Sequence, residues 1–81
     1  MDYDLLPSAF EEKYRDIEFQ HATQPPPGLS GERLDRWQAF KLLFNMMRKS
    51  RTLRDGWIQT HFETKKAILH DLIRAVQDLK S

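Results

Sequence analysis

The chain contains no cysteine, which excludes disulfide staples, thiolate metal sites and thiol chemistry. Their absence suits a reducing compartment. It has only three glycines, Gly28, Gly31 and Gly56, and its four prolines all lie before position 28. No stretch alternates apolar with polar residues, so strands are not expected. Long apolar runs are missing as well. Leu42-Leu43-Phe44 is closed off by Lys41 and Asn45, far short of the roughly 20 residues that span a bilayer. The opening residues Met1-Asp2-Tyr3-Asp4 have neither the positive region nor the apolar core of a secretion signal. Cytoplasmic residence without a membrane partner is therefore the default expectation.

With 81 residues the chain is one domain at most, of a size whose stability is usually a few kcal/mol. A net charge of +1 is no general nucleic-acid signature. The charge is unevenly spread. Residues 1–20 carry six acidic and two basic residues, net −4, and residues 21–81 carry 11 basic and 6 acidic, net +5. Opposite charges joined in one chain meet at no association cost, so the acidic head is expected to lie against the basic body.

What remains is helical periodicity. Residues 1–7 read as an extended tail ending at Pro7. The acidic and apolar mixture Asp2-Tyr3-Asp4-Leu5-Leu6 suits either a short motif that folds on binding or a tail packed on its own helices. Ser8 and Glu11 form a capping-box pattern, and Phe10, Tyr14 and Ile17 follow at helical spacing, which predicts a first helix over 9–20. Pro25-Pro26-Pro27-Gly28 makes 21–30 a stiff, extended linker. Ser30 is the next cap. Leu34, Trp37, Phe40, Phe44 and Met47 then predict a second helix, with Leu43 and Met46 widening its stripe and Leu42 off its centre.

One unbroken helix over 31–80 is the remotest reading, though a lone glycine costs only about 1 kcal/mol inside a helix. Otherwise the end of this second helix has two readings. One stops it near Lys49 and restarts at Thr52. The other, preferred, carries it over 31–54, with Gly56 left-handed after the last turn and Thr60 capping a third helix over 61–80 through Glu63. This places Arg48, Lys49, Arg51 and Arg54 at the negative end of a helix dipole, where cations are stabilising. In the third helix Phe62, Leu69, Leu72, Val76 and Leu79 form a seam flanked by Ile68 and Ile73. The expected fold is all-α: an antiparallel helical hairpin plus a shorter N-terminal helix, as a three-helix bundle or a dimeric helical bundle.

No constellation points to chemistry. A helical metal site needs ligands three or four residues apart, but His61 has Lys65 at that spacing and His70 has Lys66 and Arg74. Glu63 and His70, on one face, are about 10.5 Å apart along the axis; these two histidines and His21 read as ordinary surface histidines. Ser8, Ser30, Ser50 and Ser81 lack a nucleophile context, and no glycine-rich phosphate loop is present. No catalytic residue, cofactor or metal is expected. The function expected is a non-catalytic interaction module, meeting a protein partner or a second copy of itself through Leu42, Met46, Trp57, Ile68 and Ile73. The alternative is a nucleic-acid-binding accessory protein that uses Arg48, Lys49, Arg51 and Arg54, with Trp57 as a stacking surface.

Overall fold

The computed structural model describes residues 7–80, which are 82% helical with no strand among them. The fold is all-α, as the periodicity predicts. The expected tail, including Asp2 to Leu6, lies outside the described residues. The helices are α1 (Pro7–Arg15), α2 (Ile17–His21), α3 (Gly31–Lys49), α4 (Arg51–Gln59) and α5 (Phe62–Lys80).

The first helix starts earlier than expected and breaks once. Proline is well tolerated in a first helical turn, so Pro7 opens α1 and Ser8 lies within that turn instead of capping it. At Asp16 the backbone is extended (φ −84°, ψ 115°), and its carboxylate accepts from the Glu18 N–H at 3.0 Å. This break divides the helix predicted over 9–20 and changes which side chain reaches the core. Phe19 is buried, while Ile17, placed in the stripe by sequence spacing, is 69% exposed.

The proline segment does not stay extended. The Leu29 N–H donates to the Pro26 carbonyl at 3.4 Å, with Pro27 and Gly28 between them. Gly28 has φ +86°, and a Cβ added there would meet no heavy atom within 4 Å, so backbone conformation and not space calls for glycine. Proline followed by left-handed glycine is the signature of a type II turn. Ser30 holds the N-cap position of α3, though its side chain makes no capping hydrogen bond.

The largest departure lies after Lys49. The helix expected over 31–54 ends there, and Ser50 is both the C-cap of α3 and the N-cap of α4. Its backbone is extended (φ −136°, ψ 107°), and its hydroxyl accepts from the Leu53 N–H at 3.2 Å. The less favoured reading, a stop near Lys49, is the nearer one. A straight helix would carry Trp57 about 15 Å past Met47 along the axis. The turn at Ser50 instead brings the Trp57 ring to 5.2 Å from Phe10. Gly56 therefore sits inside α4 with ordinary helical φ, not in the left-handed region. Thr60 donates its hydroxyl to the Gly56 carbonyl at 2.6 Å, so it closes α4 and does not cap α5.

α3 and α5 form the principal interface, and α1 packs on both. The N-terminal part of α3 meets the C-terminal end of α5 at Asp35, Gln77 and Lys80. Between them lie Phe10, Phe19, Phe40, Leu43, Phe44, Met47, Trp57 and Leu69. The rings form a continuous edge-to-face chain: Trp57 to Phe10, Tyr14, Phe44, Phe19 and Trp37, with Phe40 also on Phe10. Each such pair is worth about 0.5–1.5 kcal/mol beyond its area burial.

Two substitutions test the Ser50 turn. Ser50→Ala should cost about 1 kcal/mol through loss of the cap, and Thr52→Ala much less. Gly56→Ala should stabilise the fold by about 0.5–1 kcal/mol, because its position is helical and open. Urea melts read both; a destabilised Gly56→Ala would restore the left-handed reading of that residue.

Candidate interaction surfaces

The five residues singled out as an interface separate into two groups. Leu42 and Met46 stand one turn apart on α3 and remain open, at 44% and 42% exposure. Trp57 is buried, and Ile68 and Ile73 are half-buried. Trp57 leaves the surface because the Ser50 turn points α4 at α1. There its indole N–H donates to Glu11 at 3.3 Å, and the Lys65 amine lies 5.2 Å over its ring. Ile68 packs against the core beside Leu69. The Trp57 ring therefore presents little open face to solvent.

Leu42 shares a groove with Leu79, its lining completed by Trp37, Gln38, Lys41 and Asn45 of α3 and Val76 and Lys80 of α5. Leu79 was expected in the seam, but it is 83% exposed. Phe62 likewise leaves the seam, at 52% exposure, with the Lys66 amine 5.6 Å over its ring. Two further apolar side chains were hidden from sequence reading inside the supposed hinge: Leu53 and Ile58, at 41% and 65% exposure. Leu53 borders a groove with Leu43, Met47, Trp57 and Ile68. Ile58 borders another between α1 and α4.

The basic cluster is also divided by the turn. Arg48 and Lys49 lie in the last turn of α3, where the helix dipole favours them as expected. Arg51 and Arg54 instead open α4, whose first turn carries no acidic residue. There the dipole opposes cations, so the structural explanation does not cover them. All four side chains are exposed, and among the described residues Arg54 pairs with Asp55 at 3.9 Å.

Three buried or half-buried charges pin the helices together, and sequence reading found none of their pairings. The Lys41 amine donates to the Phe19 and Gln20 carbonyls at the end of α2 and lies 4.9 and 5.0 Å from the Phe19 and Phe44 rings. Burial, then Arg48, pushes its pKa below the usual lysine value. Glu11 accepts from Lys65 as well as from Trp57, both at 3.3 Å, so at this point the acidic head does meet the basic body. Asp35 is buried, at 7% exposure, and pairs with Lys80 and Gln77. The Lys80 hydrogen bond outweighs burial and holds the Asp35 carboxyl below the ordinary aspartate range.

A further cleft lies between α1, the proline turn and the start of α3. Its charges are of both signs, Glu12 and Asp16 against Lys13, Arg33 and Arg36. Among the described residues, no three histidine, aspartate or glutamate side chains cluster to hold a metal ion. No helix there is long and apolar enough to cross a membrane. Comparison of the chain with protein-family models, with curated proteins and with solved structures finds no match.

The Asp35 pair sets an acid limit on the fold. The folded chain binds the Asp35 proton less tightly than the unfolded chain does. Its contribution is therefore complete above pH about 4 and is lost as pH falls through the lower folded value. Asp35→Asn should lower stability at pH 7 and flatten the fall in melting temperature below pH about 4. An acid limb of unchanged steepness would show that other carboxylates govern it.

Proposed function

We propose that this chain is a non-catalytic protein-interaction module, an adaptor, regulator or small subunit, that works through an apolar helical face. The observation that carries this reading is the open pair Leu42 and Met46 on α3, with Leu79 across the groove from Leu42. A domain this small needs its large side chains for its own core, yet it leaves these in water. Covering apolar surface contributes about 25 cal/mol per Å², so a face of this kind contributes most in a complex. A second copy is the simplest partner, because one patch then serves both sides of a two-fold interface. The docking of α1 is compatible with this arrangement, since Phe40 and Phe44, which hold α1, lie roughly on the opposite face of α3. The bundle so formed would be a dimer of helical units around the α3–α5 pair.

A second reading, an accessory protein that binds nucleic acid, draws support from the exposed Arg48, Lys49, Arg51 and Arg54. It is the weaker one, because the burial of Trp57 takes away the ring on which a base would stack.

Light scattering behind size-exclusion chromatography tests the first reading. The chain should run as a dimer in the micromolar range, with a melting temperature that rises with concentration. Leu42→Glu with Met46→Glu should give a folded monomer, since both side chains are already half in water. A wild-type monomer whose melting temperature does not depend on concentration would remove self-association.

A further inference from the structure

The groove between α1 and α4 joins an apolar floor to a basic rim. Phe10, Tyr14, Met47 and Trp57 line it, and Ile58 stands at its edge, 65% exposed. Arg15 of α1 and Arg54 of α4 line it too. Glu11 is the acidic residue of the lining, but its carboxylate already accepts from Trp57 and Lys65. The Arg54–Asp55 pair is long, at 3.9 Å, with both side chains about half exposed, a kind of pair that contributes little. Arg48, Lys49 and Arg51, all exposed, extend the positive charge along the α3–α4 junction. The first turn of α4 adds the positive end of its dipole to theirs.

We infer that this groove docks an acidic amphipathic helix of a partner protein. The apolar stripe of that helix meets Tyr14 and Ile58, over a floor closed by the buried Phe10, Met47 and Trp57, and its carboxylates face Arg15 and Arg54. A groove between two helices accepts a third helix through side chains spaced three and four apart. A peptide that binds by strand addition would need a sheet edge, and the described residues form no strand. The volume, about 290 Å³, lies at the foot of the range for small-molecule sites. A single-stranded nucleic acid would find the cations, but the Trp57 ring is buried and covered by Lys65. The inference rests on reading the chain as an interaction module, but it uses a different face from Leu42 and Met46, so each stands or fails by its own variants.

Fluorescence anisotropy on the full chain tests it. The probe is a labelled helical peptide of about 18 residues with leucines at i, i+3, i+4 and i+7 and glutamates elsewhere. A control replaces each glutamate by lysine, and a single-stranded oligothymidylate forms a third arm. The acidic peptide should bind in the micromolar range, at least about tenfold tighter than the lysine peptide, and more weakly as salt rises. Ile58→Glu and Arg54→Gln should each weaken it by about tenfold, whereas Leu42→Glu with Met46→Glu should not. Arg51→Glu should weaken the peptide while raising the melting temperature, which separates lost binding from lost folding. Equal binding of the two peptides, or no effect of Ile58→Glu, overturns the inference. So does oligothymidylate binding more tightly than the acidic peptide. Conversion of a wild-type dimer to a monomer by Ile58→Glu would also overturn it, by assigning the groove to a second copy.

Discussion

The Phe10 ring is where three separate stretches of chain meet. It is 1% exposed and lies edge-to-face with Tyr14 of its own helix, Phe40 of α3 and Trp57 of α4. A domain of this size has only a few kcal/mol of stability, and a ring with three such neighbours supplies a large share of it. Its position also dictates geometry. To touch Phe10, Trp57 must turn back at Ser50. To keep Phe10 and Phe19 both inside, the first helix must break at Asp16. Both breaks use residues whose side chains repair the broken ladder: the Asp16 carboxylate bonds the Glu18 N–H, and the Ser50 hydroxyl bonds the Leu53 N–H. The cost of each break is thereby held near that of an ordinary helix start.

Charge completes what the rings begin. Lys41 holds the last carbonyls of α2, Glu11 ties α1 to α4 and α5, and Asp35 joins the start of α3 to the end of α5. Each bond lies at a helix end or at the edge of the aromatic core. Pairs in such partly desolvated positions contribute more than surface pairs, since water screens them less. Lys41 illustrates the balance. Burial disfavours its charge, yet two carbonyl acceptors and two aromatic faces keep the amine in place.

Phe40, Phe44, Met47, Leu69 and Val76 were legible as stripes that face the core, because apolar spacing over 19 residues is a strong signal. The breaks were not. Aspartate and serine inside a helix cost only a fraction of a kcal/mol relative to better formers, so local preference leaves Asp16 and Ser50 undecided. The Phe10–Trp57 contact, between residues far apart in sequence, decides them. Everything that depends on the Ser50 turn was misread with it: the capping role of Thr60, the conformation of Gly56 and the exposure of Trp57. Leu42 and Met46 were legible as open positions because they depend only on the face of a helix that was itself legible. Leu53 and Ile58 were not, since their helix was read as the end of one element and the turn after it.

α4 is where local rules are broken without an internal gain. Its first turn carries Arg51 and Arg54 against the dipole, at a cost of about 0.3–1 kcal/mol each. It also leaves Leu53 and Ile58 in water, although Trp57 beside them is buried. An acidic residue at position 51 and polar ones at 53 and 58 would satisfy the same turn and the same indole contact at lower free energy. Departures of this kind from propensity and patterning in one short element are expected at functional sites, which is why α4 carries the proposed docking groove. Cations and open apolar side chains, offered together on one nine-residue helix, are the groups that the proposed acidic amphipathic helix would meet.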